Sequence, residues 1–298
     1  MNRIFLILLF LISIHAESQV INASPPYRKY AASATCPDSD AQAFIDIEGI
    51  TDQTQKDAIC TLIRELKDSS LWNLFDAIYP FIGGTASSHK WNLKDPRDLD
   101  AAFRLTFHGT WTHSSSGADP NGTDAFANTY YSATGNGSFS DYAISVYLTE
   151  NTTVGLFPID MGASNFGSNL SIDVSINRPN ESNKSVSASG NYTTSGTVLQ
   201  SASANTTAGY ILSTRRGLSD FEIYKNGSSL ASTTTAASSI SLNVNYYLGA
   251  TNNIGTTFNY SNRNIAFATI GAGLTDDKVM ALNTIVEKFN DALGRGVQ

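Results

Sequence analysis

Phe221-Glu222-Ile223-Tyr224-Lys225-Asn226-Gly227-Ser228-Ser229-Leu230-Ala231-Ser232 is the stretch that decides the fold. Phe221 and Ile223 alternate with Glu222 and Tyr224, the period-two pattern of a half-buried strand. Asn226-Gly227 follows directly. Both residues tolerate positive φ, which a type I′ hairpin turn requires at its two central positions. Leu230 then opens the returning strand.

Short strand candidates surround this hairpin: Ala102–Phe107, Asp124–Tyr131 after the turn Pro120-Asn121-Gly122, Tyr142–Leu148, Ile172–Ile176, Val186–Ser189, Thr197–Ala202, Thr207–Thr214, Ile240–Leu248 and Asn264–Ile270. Many short strands separated by Gly, Asn and Ser turns indicate an antiparallel sandwich rather than a parallel α/β sheet. Helical patterns flank it. Thr51 reads as the N-cap of a helix whose Ile59, Leu62, Ile63 and Leu66 share one face. Leu71, Leu74, Phe75 and Ile78 keep helical spacing up to Pro80, which would stop a second short helix. Near the other end Thr275 caps a helix with a stripe of Val279, Leu282, Ile285, Val286, Phe289 and Leu293, and Gly294 suits its C′ position. The openings Gly49-Ile50-Thr51-Asp52 and Gly273-Leu274-Thr275-Asp276 are alike. They indicate either two helices packed together beside the sandwich or a coincidence of two N-caps. The expected organisation is residues 1–18 as a signal or membrane segment, 19–100 as leader and helical region, 101–272 as a jelly-roll sandwich, and 273–298 as a helix packed on it.

Only 15% of the 298 residues are charged and the net charge is −7. An ordinary globular chain has about a quarter charged, and with no basic stripe a nucleic-acid partner is not expected. Met1-Asn2-Arg3 and the apolar run Ile4–Ile14, followed by Ala16-Glu17-Ser18, read as a signal peptide, too short for a spanning helix. Cys36 and Cys60 are the only cysteines. In an exported chain an even pair favours a disulfide; two free thiols are the alternative.

The run Arg215-Arg216-Gly217 leading into Phe221–Gly227 resembles the strand, Tyr, Asn-Gly hairpin of laminin-G-like and concanavalin A-like jelly rolls. Tyr246-Tyr247-Leu248-Gly249-Ala250, the strand Arg263–Ile270 and Gly273-Leu274-Thr275-Asp276 come in that family's order. A narrower resemblance covers roughly Phe44–Val297. Ala77–Thr85, Trp91–Asp98, Trp111-Thr112-His113-Ser114 and Ile265–Ile270 are similar to virion structural or host-attachment proteins of Bacteroidetes-type phages. That resemblance implies a surface protein without assigned catalysis, with other virion proteins and copies of itself as partners and host-surface glycans as candidate ligands. The signal peptide departs from it, because proteins of tailed phages assemble in the cytoplasm. The departure leaves a membrane-containing or extruded virus, an exported bacterial protein built from the same module, or an uncleaved anchor giving membrane contact through residues 1–18.

Some jelly rolls of this class cleave polysaccharides with closely spaced acids, and retaining cleavage needs two carboxylates about 5–5.5 Å apart. The nearest approach, Phe44-Ile45-Asp46-Ile47-Glu48, places Phe where a nucleophile would stand and reads as a strand-like lead-in with solvated acids. No catalytic residue is assigned. His89, His108 and His113 lack the i, i+4 spacing of a helical metal pair, and Trp111 with His108 and His113 is read in a loop. Asp119, Asn121 and Asp124 carry oxygens of the type calcium takes, but a plain turn explains them better, so no cofactor or metal is expected. Sugar binding needs aromatic faces and a few fixed polar groups. Trp111, His113, Arg215 and Tyr224 are the candidate ligand residues, with Arg215-Arg216 as a possible grip on an acidic glycan. The leading expectation is a non-enzymatic virion surface protein that touches host glycans. The alternative is an exported bacterial lectin-like or adhesin module; a polysaccharide hydrolase comes third.

Overall fold

Phe221–Lys225 and Ser228–Thr233 pair antiparallel around Asn226 (φ +51°) and Gly227 (φ +73°), as Asn-Gly predicts. The return strand begins two residues before Leu230. The computed structural model describes residues 36–150, 158–176, 186–190, 198–201, 206–238 and 242–298. The expected signal segment, most of the leader, and parts of the strand candidates Thr197–Ala202 and Ile240–Leu248 lie outside the described residues.

Two helices, α1 (Ser39–Glu48) and α2 (Gln53–Asp68), precede β1 (Phe75–Tyr79) and the one-turn helix α3 (Ala86–His89). The chain continues with β2 (Thr106–His108), β3 (Trp111–Ser114), β4 (Gly117–Pro120), β5 (Phe126–Ser132), a one-turn helix α4 (Ala133–Asn136) and β6 (Asp141–Leu148). Then come β7 (Met161–Asn165), β8 (Leu170–Ile176), β9 (Val186–Gly190), β10 (Val198–Ser201), β11 (Gly209–Arg216), β12 (Phe221–Lys225) and β13 (Ser228–Thr233). β14 (Asn245–Leu248), β15 (Thr251–Asn253), β16 (Thr256–Phe258), β17 (Ile265–Gly271) and α5 (Asp276–Ala292) complete it. Among the described residues these strands form two sheets. The first runs β13-β12-β11-β6-β17-β4-β3, with β1 also on β17; the second runs β10-β9-β8-β7-β14-β5-β2, with β15 and β16 appended. Every pairing is antiparallel except β15 with β7. This is the mainly β, jelly-roll-like sandwich with flanking helices that the pattern implies.

Alternation along β6 shows how the layers are held. Ile144, Val146 and Leu148 point between the sheets, meeting Met161, Ile172, Val174, Tyr246 and Leu248. Ala143 and Tyr147 point the other way, with Tyr210, Leu212, Tyr224 and Phe267. That outer face is covered by Phe44, Ile59, Leu62 and Ile63 of α1 and α2, and by Val279, Leu282, Val286 and Phe289 of α5. The helices α2 and α5 do pack together, and Lys288 pairs with Glu65 across them (2.5 Å).

Several local expectations are corrected. Asp52 rather than Thr51 caps α2, its Oδ1 accepting the Gln55 N–H (2.9 Å). The lead-in Phe44–Glu48 is helical, because Asp38 accepts from the Asp40 and Ala41 N–H groups and starts α1. The expected second helix is confined to the turn Trp72–Leu74, and Phe75 and Ile78 lie on β1, paired with the end of β17. The sandwich therefore takes a strand from the region read as helical, before residue 101. Within Ala102–Phe107 only the end is strand, since Phe103 turns the chain at φ +58°.

Two devices fasten this region. Cys36 and Cys60 form a disulfide with Cα atoms 5.8 Å apart, tying the start of α1 to α2. Asn92 is fully buried: its Oδ1 accepts the Ile78 (2.9 Å) and Lys94 (3.0 Å) N–H groups, and its Nδ2 donates to the carbonyls of Asp76 (3.1 Å) and Ala102 (3.0 Å). Asn92→Ala would orphan four backbone groups, and each buried orphan costs about 1–3 kcal/mol. A loss of about 3 kcal/mol or more in urea denaturation is expected. Reducing the disulfide, which closes a 24-residue separation, should cost about 3 kcal/mol on the same measurement.

Candidate functional site

Of the four residues singled out in the sequence, only Trp111 and His113 come together, and they lie on β3 rather than in a loop. The Trp111 indole N–H donates to the His108 carbonyl (2.9 Å), and the Phe107 ring meets Trp111 at 5.2 Å and His113 at 4.7 Å, both edge-on. Phe107 belongs to the second sheet and β3 to the first, so these rings seal the seam between the two edges. Arg215 is corrected outright. It is 0% exposed, with its guanidinium donating to the Leu218 carbonyl (2.9 Å) and lying 5.0 Å from the Phe221 ring centre. Tyr224 lies on the opposite face of the first sheet, 2% exposed, its hydroxyl donating to Asp276 at the start of α5 (2.7 Å). Both fold the protein rather than present a surface. Arg216 is bound to Asp220, Glu222 and Asp276, so this pair offers no grip on an acid.

Behind the seam His113 joins His89 of α3. The Gly84 N–H donates to His89 Nε2 (3.1 Å), so the His89 proton sits on Nδ1 and is donated to His113 Nδ1 (2.9 Å). Both rings are neutral. Burial pushes the His89 pKa down to about 3, reinforced by His113 and the buried Arg295 guanidinium; burial also lowers that of His113.

The open surface lies elsewhere, on the outer side of β2, β5 and β14. Phe126, Asn128 and Tyr130 alternate along β5 with Ala127, Thr129 and Tyr131, which face the core. Three rings stack across the strands: His108 on Phe126 (4.6 Å, 11°) and Phe126 on Tyr247 (4.5 Å, 21°). In such a stack the inner faces cover one another, leaving the outermost faces to Tyr247 and to the exposed His108. Asn128 stands opposite Tyr247 on one side and Thr106 on the other.

Next to the row β5 is distorted. Between the pairs Asn245–Ser132 and Tyr247–Asn128, three residues, Thr129–Tyr131, oppose Tyr246 alone. Thr129 Oγ1 takes up the slack, donating to the Tyr246 carbonyl (2.8 Å) and accepting the Tyr131 N–H (3.2 Å). Tyr130 is thereby held at φ +57°, a costly conformation for an aromatic residue. Its hydroxyl meets Thr106 Oγ1 (3.0 Å), and the Arg104 guanidinium lies 5.7 Å from its ring centre. Arg104 is itself paired with Asp98 (3.0 Å) and Asp100 (2.8 Å). Burial, then the neighbouring Tyr130, raises the Tyr247 pKa. The face is thus aromatic, amide-bearing and close to neutral.

Sequence reasoning noted His108 but did not single out Phe126, Asn128, Tyr130 or Tyr247 as ligand residues. Their signal was the alternation of Phe126-Asn128-Tyr130 along one strand, masked because the inward positions are also aromatic or polar.

The remaining candidates separate. Asn121 Oδ1 accepts the Thr123, Asp124 and Ala125 N–H groups, and Asp124 Oδ1 accepts from Thr110 N–H and Asn121 Nδ2. These oxygens hold a turn. Among the described residues no group of three His, Cys, Asp or Glu gathers as a metal site. Asp46 and Glu48 sit two apart on α1 and so point about 200° apart, too divergent for a catalytic pair.

No protein-family model matches the chain, and no curated protein does. Solved structures do. A Trypanosoma rangeli sialidase mutant displaying trans-sialidase activity is similar over 80% of this chain, which spans 39% of that one, with TM-score 0.51 and 9% identity. Domain 4 of AbnA, a GH43 extracellular arabinanase from Geobacillus stearothermophilus, in complex with arabinotriose, matches 70% of this chain and 98% of its own at TM-score 0.46 and 13% identity. The IT-sialidase CBM40 of Ruminococcus gnavus matches 49% and 83%, at TM-score 0.38 and 16% identity. At these identities the likeness is one of fold.

The histidine pair makes a pH-dependent contribution. Its folded-state pKa values lie below the ordinary 6.5, so the unfolded chain binds more protons between the two values. The pair's stabilisation is complete above about pH 6.5 and is lost as pH falls toward 3. In His89→Gln the fall of denaturation midpoint from pH 6 to pH 4 should be shallower than in the parent. An unchanged slope would show that the pair does not titrate as described.

Proposed function

We propose that this chain is an exported carbohydrate-binding module whose ligand, a neutral oligosaccharide, lies across β2, β5 and β14. The observation that carries this reading is the ring row His108–Phe126–Tyr247 beside Asn128 and the strained Tyr130. Aromatic rings offer apolar faces to the C–H side of a sugar, while amides and hydroxyls bind its rim. Backbone strain held in place by its surroundings collects at ligand sites. A neutral ligand follows because Arg104, the cation beside the row, is already paired with two carboxylates. The disulfide suits an oxidising compartment. Among the described residues no helix is long and apolar enough to cross a membrane.

One observation favours the second reading, a particle-surface protein packed against copies of itself. Phe166, Ile254 and Phe258 are 48%, 59% and 42% exposed near the β15–β16 hairpin, with the two Phe rings 5.8 Å apart. A self-assembling chain would bury them. The strings that resemble virion proteins are mixed: Tyr79, Phe81, Asn92, Leu93 and Phe267 are buried, while Arg97 and Asp98 are exposed.

A glycan array carrying neutral and sialylated oligosaccharides should give signal on neutral members. Tyr247→Ala and His108→Ala should each weaken binding about tenfold, the equivalent of about 1.4 kcal/mol for a lost ring contact, with the His108→Ala melting temperature unchanged because that ring is exposed. Preference for sialylated members, or full binding by both variants, would refute the reading.

A further inference from the structure

A cavity of about 460 Å³ opens between the α1–α2 turn and α3, walled by Glu48, Asp52, Gln55, Thr85, Ser88 and Trp91 among others. None of these residues belongs to the face formed by β2, β5 and β14. The size is that of a small-ligand site, and the wall is rich in hydroxyl and amide groups.

Glu48 is the unusual member. Its Oε2 is buried and has no hydrogen-bond partner, and its carboxyl stands at the C-terminal end of α1, where the helix dipole disfavours negative charge. Burial raises its pKa to about 7. A buried carboxylate oxygen with no donor is costly, and the residue that carries it lines this cavity. The backbone makes room for it. A side chain at Gly83 (φ +88°) would place its Cβ 2.2 Å from Glu48 Oε1 and 2.7 Å from the Ser88 side chain.

The charges around Glu48 leave a cation wanting. Asp52 lines the same cavity, with Oδ1 accepting from Gln55 N–H. Lys90, the cation of the wall, is drawn off by Asp98 (2.6 Å) and lies 4.3 Å over the Trp91 ring centre. His89 of α3 is neutral and directed at His113. Two carboxylates and one neutralised ammonium therefore face a space large enough for a sugar-sized molecule.

We propose that this cavity is a second binding site, selective for a hydroxylated primary ammonium, the chemistry of an amino sugar. The ligand cation pairs with Glu48, and its hydroxyls meet the side chains of Gln55, Thr85 and Ser88. The site stands apart from the neutral-glycan face and does not depend on it.

Calorimetric titration of the full chain with glucamine (1-amino-1-deoxysorbitol) tests this, with sorbitol as the neutral isostere. Glucamine stays protonated between pH 6 and 8, whereas Glu48 loses most of its charge as pH falls from 8 to 6. Glucamine should bind at pH 8, sorbitol should not, and glucamine affinity should fall about tenfold by pH 6. Glu48→Gln should abolish binding, and His108→Ala should leave it intact. The proposal is overturned if glucamine binds no better than sorbitol at pH 8, if its affinity is the same at pH 6, or if Glu48→Gln retains it; the buried oxygen would then serve water alone.

Discussion

The first sheet is covered on both sides, and that constraint decides where everything else goes. One face meets the second sheet and the other lies under α1, α2 and α5. The enclosed part of that sheet has no surface to offer a ligand, and its exposed edge β13 carries only Ser, Leu, Ala and Thr, so the aromatic sheet-borne face is on the outer side of the second sheet. Even there the outward positions of β8 and β9, Asp173, Ser175, Ser187 and Ser189, are buried. What stays open is the end formed by β2, β5 and β14. There the Thr129–Tyr131 bulge turns an aromatic residue outward beside three stacked rings.

Buried polar groups hold that geometry. Asp160 and Arg263 are both 0% exposed and meet through two 2.8 Å bonds, with Ser261 adding a third to Asp160. Taking two charges out of water is costly and is sustained only by full hydrogen bonding. The Asp160 carbonyl also accepts the Gly249 N–H (2.8 Å), fixing the end of β14 just beyond Tyr247. On the other side Arg295, just past α5, donates to the carbonyls of Pro80, Phe81 and Ala266, all at 2.7–2.8 Å. It pins the helical layer to the first sheet. Burying such groups specifies one arrangement of layers, because any slip would leave them unpaired.

Legibility in the sequence followed the physics of each element. The Asn226-Gly227 hairpin was plain because its turn demands positive φ at two successive residues. The apolar stripes of α2 and α5 were plain because each helix buries a single face. β1 was misread because a strand buried on both faces carries an apolar run rather than alternation, and Leu71, Leu74, Phe75 and Ile78 happen to copy helical spacing. β7, Met161-Gly162-Ala163-Ser164-Asn165, has little strand propensity and is specified by its neighbours on either side. The site was harder still. Arg215 and Tyr224 drew notice because charge and aromaticity look functional, yet those same properties let them fill a core and anchor a helix. Phe126 and Tyr247 become a row only when β5 and β14 pair, a long-range contact that no local pattern encodes.

Backbone amide NMR during titration with a neutral oligosaccharide selected on the array tests the central claim most directly. The account predicts shifts concentrated at 104–108, 126–131 and 245–248, with the helices α2 and α5 silent. Shifts centred on the helical layer, or on the seam at Trp111 and His113 with Phe126 and Tyr247 unmoved, would contradict it.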